Sequence, residues 1–335
     1  MRIGIYGAGS LGTALGAYLS KKDVPVELIN HNAAHVEALN SHGARVTGTA
    51  EFTANVAAIT PEQMEGEYDI LFLLTKQLNN PAIAAFLKPH LKDDGVLCTM
   101  QNGLPEPGLV EILGENRVVG CTVAWGAELL EPGVVKLTSD PDSMTFGMGS
   151  TTGDLATIDK VKAVLENMCP VEVENNFMGV RFSKLLINAA FSGMSIVTGG
   201  SFGEVAGDRH ARKYTQLIIK ECLDVAKAAN IKIEPVQGKD IAKLLDYNGV
   251  FKKWISFQII PIAIKKHALI KASMLRDLAR NRKTEIDAIN GVVCEFGKKY
   301  GVKTPVNDKV VKLVHDMENG RGKPSFENVK LLAAY

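Results

Sequence analysis

Through the first half of the chain, short apolar runs bounded by turn residues alternate with segments whose apolar positions recur at helical spacing. Ile3-Gly4-Ile5-Tyr6 leads into Gly7-Ala8-Gly9-Ser10-Leu11-Gly12, and an alanine- and leucine-rich segment continues to Ser20. After the Lys21-Lys22-Asp23 turn a second apolar run covers 24–29. Strand, tight turn, helix and strand in that order predict a βαβ crossover. The alternation continues with a helix over 33–40 closed by Gly43, β-like runs around Val46 and over 52–56, and the segment 69–76, apolar from Ile70 to Leu74, which reads as a buried parallel strand. A short helix over 81–87 and a strand over 95–100 follow, then β-like runs at 118–124, 134–138 and 144–148, a helix over 158–167 and a last strand at 171–173. From about Gly179 the texture changes to long helical spacing, over 181–197, 209–229, 241–245, 273–281, 284–300 and 305–317. The pattern predicts an α/β fold class: a Rossmann-type dinucleotide-binding domain over 1–175 and an all-helical substrate and catalytic domain over 176–335.

Composition narrows the class without changing that picture. With 335 residues, 46% hydrophobic and 22% charged, the chain is long enough for about two cores and too apolar for disorder. A net charge of +1 makes no electrostatic case for nucleic acid or for an anionic membrane. The five cysteines include no CxxC pair, which argues against zinc and a disulfide framework and suits a reducing cytoplasm. No run approaches the roughly 18 apolar residues a membrane span needs. Seven histidines contain no HExxH; His31 and His35 are four apart without a third ligand, so both read as surface residues and no metal is expected.

The candidate chemistry starts at the glycine loop. Gly7 allows the sharp turn, Gly9 lets backbone approach a diphosphate, Gly12 lets helix pack on strand, and the helix N-terminus at Ser10 and Leu11 offers N–H groups to the anion. Ala8 completes the loop. Lys76 and Asn102 stand at the carboxyl ends of predicted strands, where an open parallel sheet binds its ligand. An NAD-selective site places an acid at the end of the second strand, and this chain has Asn30-His31-Asn32 there. NADPH is therefore the expected cofactor, with Lys76 and His31 near its phosphate. On the helix over 181–198, Lys184, Asn188, Ser192 and Ser195 fall on one arc of an otherwise apolar cylinder, which suits a stripe lining a cleft. Thr284 with Asp287 three residues on predicts a capping box that places Glu285 in the first helical turn.

These residues carry a resemblance. The glycine loop, Thr75-Lys76, Asn102-Gly103, Lys184 with Asn188, Ser273-Met274, and Thr284-Glu285-Ile286-Asp287 with Asn290-Gly291 resemble, in order and over essentially the whole length, the markers of ketopantoate reductases (2-dehydropantoate 2-reductases). The resemblance implies an NADPH-dependent reductase whose active site lies in a cleft between a Rossmann domain and a helical domain. It implies Lys184 as the general acid at the 2-oxo group and Glu285 as the hydrogen-bonding partner of the reacting oxygen and of Lys184. Asn188, Ser192 and Ser273 would contact substrate, while Lys76 and Asn102 would face the cofactor. The chain departs from the family pattern where Ser192 and Ile270 replace asparagines, which puts substrate identity in question more than reaction type. A dehydrogenase of the glycerol-3-phosphate or 6-phosphogluconate type joins similar domains, but the Thr-Glu-Ile-Asp stretch fits it less well. A non-catalytic dinucleotide sensor has no need of Lys184 and Glu285. The implied partner is a small 2-oxo acid, with no nucleic acid and no membrane, and a homodimer stays open.

Overall fold

In the computed structural model, which describes residues 1–150, 155–235, 238 and 240–333, the chain divides into a sheet unit, Met1–Gln101 with Pro105–Phe177, and a helical unit, Asn102–Leu104 with Met178–Tyr335. The sheet unit opens with β1 (Ile3–Tyr6), α1 (Ser10–Lys21), β2 (Val26–Ile29), α2 (Ala33–His42), β3 (Ala44–Gly48), β4 (Phe52–Ala54), β5 (Ala57–Ile59) and β6 (Tyr68–Leu73). It continues with α3 (Asn80–Leu87), β7 (Leu91–Thr99), α4 (Glu106–Leu113), β8 (Val118–Val123), β9 (Ala127–Glu131), β10 (Val134–Leu137), β11 (Phe146–Gly149), α5 (Leu155–Leu165) and β12 (Val171–Val173).

Among the described residues, eight strands form one sheet in the order β12-β11-β8-β7-β6-β1-β2-β5. Neighbours run parallel except β11 beside β8. Strand β1 pairs with β2 on one side and β6 on the other, so the chain order reverses there. Ligands of open α/β sheets bind beyond the carboxyl ends of the strands at such a switch point. The remaining strands make a smaller sheet, β4-β3-β10-β9. Helix α1 contacts both sheets, which is why it buries Gly12 to Ala17 and Leu19 instead of a single stripe.

The helical unit takes up the chain at the second residue of α6 (Phe177–Ile187), which passes through a π-turn (Asn188–Ser192) into α7 (Gly193–Thr198). It continues with α8 (Phe202–Gly207), α9 (Arg209–Ala228), α10 (Ile241–Leu245), α11 (Val250–Ala263), α12 (Met274–Ala279), a second π-turn (Asp287–Gly291) running into α13 (Val292–Tyr300), and α14 (Pro305–Glu318). Helix α9 organises this core. Asp208 caps it by accepting from the Ala211 N–H at 2.7 Å, and its buried side includes Tyr214, Ile218, Cys222, Val225 and Ala226. Those residues pack with Leu185, Leu186, Phe191, Val293, Val310 and Val314 from the helices around it.

The expected α/β and helical architecture is present, with instructive differences. Helix α4 is absent from the hydrophobic pattern because its opening Glu106-Pro107-Gly108 reads as a turn. Helix α11 exposes Val250, Phe251, Trp254 and Ile262 and contains Pro261, so its apolar residues lie on several sides and leave no helical spacing to read. The helix expected over 181–197 begins earlier and changes phase at the π-turn, which adds a residue to one turn.

Candidate functional site

The chain leaves β1 at Gly7, whose φ of +97° and whose closeness to β6 both demand glycine: a Cβ there would stand 2.6 Å from the Thr75 amide nitrogen. The Gly7 and Ala8 N–H groups both donate to the Ile29 carbonyl at 3.0 Å, fastening the loop to the end of β2. A Cβ on Gly12 would meet the Gly7 carbonyl oxygen at 2.8 Å, whereas one on Gly9 would meet nothing nearer than 3.9 Å. The loop is therefore tight beneath and open above Gly9. Helix α1 starts at Ser10 with no side-chain cap and no acid in its first turn, so the N–H groups of Ser10, Leu11 and Gly12 lack an acceptor within the helix and carry its positive end. Gly7, Ala8, Gly9, Ser10, Leu11 and Gly12 together fit an anionic diphosphate.

The Ala8 carbonyl is held inward by three donors: Asn30 Nδ2 at 2.7 Å, Thr13 Oγ1 at 3.0 Å and His35 Nε2 at 3.0 Å. Gly133 N–H donates to His35 Nδ1 at 3.0 Å, so Nδ1 is an acceptor and the ring is neutral with its proton on Nε2. Burial pushes the His35 ring below its ordinary pKa, and the hydrogen bond to Ala8 offsets only part of that. The surface assignment of His35 is thus overturned: it is 1% exposed, because it shares the buried side of α2 with Val36 and Leu39. His31 lies in the segment before α2 and is exposed.

A cavity of about 160 Å³ opens where β1, β2 and β6 end, lined by Tyr6, Gly7, Ile29, Asn30, His31, Pro61, Thr75 and Ile83. That is below the roughly 300 Å³ of a complete small-molecule pocket, so it suits only part of a dinucleotide. It joins Gly7 and His31; Lys76 follows Thr75 and is exposed. The sequence reading missed Pro61, Ile83 and Glu62. The exposed Glu62 carboxyl, next to the lining residue Pro61, is held below its ordinary value by the Thr60 hydroxyl first, then by a backbone N–H, with His31 contributing least. No local signal marks these residues, because the β5–β6 connection, which carries Pro61 and Glu62, and helix α3, which carries Ile83, reach the rim only through the fold. At the exit of β7 the buried Gln101 amide donates to the Thr75 carbonyl at 2.9 Å and pairs reciprocally with the Asn80 amide at 2.9 and 2.8 Å. It thereby ties the ends of β6 and β7 together. Asn102, the next residue, is exposed and groups with the helical unit.

In the helical unit, every residue from Arg181 to Thr198 is buried except Lys184, Ile187, Asn188 and Ser192, which are half-buried. The stripe therefore exists for three of the four polar residues. Ser195 does not belong to it: fully buried, it donates to the Gly200 carbonyl at 2.6 Å and accepts from the Ala272 N–H at 3.1 Å. That second bond brings the exposed Ser273, one residue on, to the end of the same helix. Half-buried Glu285 immediately precedes the helical turn that begins at Ile286. The expected capping box with Asp287 does not form: the Thr284 hydroxyl accepts from the Ile286 N–H at 3.3 Å, and its other bonds are tertiary. Thr284 donates both its N–H and its hydroxyl to Glu318 Oε1 at 2.7 Å, while Asp287 pairs with His315 at 3.0 Å. Burial raises the Glu318 carboxyl, but these bonds and Lys283 more than offset it and hold it below its ordinary value. Lys184, Asn188, Ser192, Ser273 and Glu285 thus sit on segments bound to one another within one unit. A larger hollow of about 460 Å³ at the α13–α14 turn, lined by residues such as Lys298, Lys303 and Asp308, contains none of them. Among the described residues no group of three or more His, Cys, Asp or Glu side chains is placed to hold a metal ion, and no helix is long and apolar enough to cross a membrane.

Two models of one family match the chain: ketopantoate reductase PanE/ApbA over residues 3–151, and its C-terminal counterpart over 176–318. The chain is 28% identical over 330 residues to a 2-dehydropantoate 2-reductase of Lactococcus lactis, covering 95% of this chain and 98% of that one. It is 26% identical over 323 residues to one of Aquifex aeolicus, covering 95% and 97%. Among solved structures, a D-mandelate dehydrogenase in ternary complex with NADH and anilino(oxo)acetate superposes with a TM-score of 0.82 at 24% identity, covering 96% of this chain and 99% of that one. A PanE/ApbA family ketopantoate reductase from Ralstonia eutropha superposes with a TM-score of 0.80 at 24% identity and the same coverage. At that identity the two structures show the shared fold.

Proposed function

The chain belongs to the ketopantoate reductase family and is an oxidoreductase, and on that premise we propose that it reduces a 2-oxo acid to the 2-hydroxy acid with NADPH, 2-dehydropantoate being the reference substrate. The observation that carries this reading is the lysine helix, which is buried along its length except at Lys184, Ile187, Asn188 and Ser192. A lysine kept half-buried on such a helix is suited to proton transfer. NADPH, when bound, supplies the hydride. As charge builds on the substrate oxygen, the Lys184 ammonium stabilises it and gives up a proton from Nζ to form the hydroxyl. Glu285 accepts a hydrogen bond from that oxygen's proton and from Lys184, which favours the charged lysine before transfer. Asn188, Ser192 and Ser273 orient the acid, and the loop Gly7 to Gly12 binds the diphosphate.

Preference for NADPH rests on Asn30, whose amide turns onto the Ala8 carbonyl where an NAD-selective site carries an acid. His31, Lys76 and Asn102 complete the dinucleotide contacts in this reading. Glu62 at the same rim opposes a 2′-phosphate, so the preference is modest. Tighter binding of NADH than of NADPH in a titration would refute it. With Ser192 and Ile270 in place of amides, the pocket offers fewer hydrogen bonds to a polar hydroxy acid, each worth roughly 1 to 3 kcal/mol. Ketopantoate is accordingly expected to be a poor substrate beside another 2-oxo acid.

Following nicotinamide absorbance while a panel of 2-oxo acids is added to protein and NADPH tests the whole reading. Oxidation by at least one acid is expected; NADPH binding without oxidation by any of them would sink it. A homodimer is part of the proposal, because Val250, Phe251, Trp254, Ile262 and Leu269 are each at least 60% exposed. Large apolar side chains left this exposed suit an interface between subunits, and a monomer at every concentration in sedimentation would count against it. All five cysteines are free and buried, which suits a reducing cytoplasm.

A further inference from the structure

The two π-turns of the helical unit are joined by one buried amide. Asn290, in the second π-turn and 0% exposed, donates from Nδ2 to the Ala189 carbonyl in the first π-turn at 3.0 Å and to Asn307 Oδ1 at 2.9 Å. The orientation of this amide follows from its neighbours. The buried Glu221 carboxylate accepts from Val306 N–H at 2.9 Å, Asn307 N–H at 3.0 Å and Asn307 Nδ2 at 2.6 Å. Three donors make Glu221 an acceptor throughout, so Asn307 must present its Oδ1 to Asn290, and Asn290 must answer with Nδ2. A directed chain of hydrogen bonds therefore runs from Glu221 through Asn307 and Asn290 to the Ala189 carbonyl.

That carbonyl loses its α-helical donor. In an α-helix it would accept from Gly193 N–H, but at the π-turn this N–H reaches the carbonyls of Asn188 and Ala190 instead. Asn290 supplies a donor where the helical ladder opens. It does so at a cost, since its own Oδ1 is buried without a partner among the described residues, a penalty on the order of 1 to 3 kcal/mol. An apolar residue would avoid that cost, but it would leave Ala189 without this donor.

We infer that Asn290 is a positioning residue of the reaction: by holding the π-turn of the lysine helix it sets the orientation of Asn188 and Ser192 and fixes that helix against the one that follows Glu285. The inference rests on the functional reading above, in which Asn188 and Ser192 contact the acid and Lys184 and Glu285 act on its oxygen. Asn290 touches none of the reacting atoms in it and acts through the Ala189 carbonyl.

Two variants disturb the amide in different ways. Asn290→Asp keeps the shape and replaces both donors with an acceptor facing acceptors. Gly193→Ala keeps the amide but adds a Cβ 2.7 Å from Asn290 Oδ1 and 2.8 Å from Nδ2; a helical glycine-to-alanine change by itself favours folding. The wild type and both variants are assayed side by side for KM of the best 2-oxo acid, kcat, and NADPH Kd, each per folded molecule. Both variants are expected to raise KM and lower kcat so that kcat/KM falls by about ten- to hundred-fold, the scale of a small misplacement of positioned groups, while NADPH Kd stays within about two-fold of wild type. A purely structural role predicts lower stability with unchanged kcat and KM, and that result in Gly193→Ala, or in Asn290→Asp where it folds, overturns the inference alone. Absence of turnover by the wild type with every acid overturns the functional reading and this inference with it.

Discussion

The sheet unit and the helical unit assemble their candidate residues by different physics. In the sheet unit the diphosphate would meet main-chain N–H groups from Ser10, Leu11 and Gly12, consecutive in sequence and shaped by glycines. The half-buried Asn30 and the buried Thr13 and His35 act indirectly, by holding the Ala8 carbonyl. In the helical unit the proposed working groups are side chains about a hundred positions apart, from Lys184 to Glu285, on segments held by polar contacts such as Thr284 with Glu318 and Asn290 with Ala189. A site made of backbone is vulnerable to an added Cβ and tolerant of side-chain exchange. A site made of side chains is vulnerable at single functional groups. Changes in the first unit should therefore appear as lost dinucleotide affinity, and changes in the second as lost turnover.

The sharpest way to break this contrast is at Lys184. Lys184→Ala is expected to lower kcat by roughly 10² to 10⁴ fold, the range for a positioned acid, with NADPH Kd unchanged. Near-normal turnover on a folded preparation, or a large loss of NADPH affinity, would remove the assignment. Gly7→Ala comes next. Its Cβ would face the Thr75 backbone at 2.6 Å from a positive-φ position, and relieving the roughly 1 to 3 kcal/mol of strain must move the loop. NADPH Kd should rise by about ten-fold or more while kcat at saturating NADPH is largely kept; an unaltered Kd would show that the loop does not hold the dinucleotide.

The smallest effect is one of stability and separates packing from function within the sheet unit. The His35 ring is held below its ordinary pKa of about 6.5, so the unfolded chain takes up the proton first. The stability contributed by the neutral ring is full above about pH 6.5 and is lost as pH falls through the folded-state value. Glu318, held low, acts in the same sense but below the carboxylate range. Glu221, raised by burial against its hydrogen bonds, acts in the opposite sense by stabilising the fold as it takes a proton. Comparing wild type with His35→Gln cancels both. The difference in urea stability should be on the order of 1 to 3 kcal/mol near pH 7.5 and shrink toward pH 5. A difference independent of pH would mean that the ring does not titrate in that window.

The pattern of the chain carried a good deal of this. Gly7 and Gly12 were readable because their demands are local: a turn, and a helix crossing the strand that leads into it. The outward positions of Lys184, Asn188 and Ser192 followed from spacing along one helix. Thr284 caps its helix locally through the Ile286 N–H, as its position in the sequence suggests, but the acid that it meets is Glu318, near in space, and not Asp287, near in sequence.

What the sequence determined alone was everything set by periodicity and by backbone conformation: the alternation that makes an open parallel sheet, the long helices that follow, the glycine loop, and the residue types presented beside it. Tertiary structure decided which polar side chains face inward, as with His35 against Ala8 and Ser195 against Ala272, where two helices open into π-turns, and which distant acid, Glu318, arrives beside Thr284. The reason is physical. Backbone conformation is governed by neighbours a few positions away, but the free energy of a buried polar group depends on the donor or acceptor opposite it, and that partner is chosen by the fold.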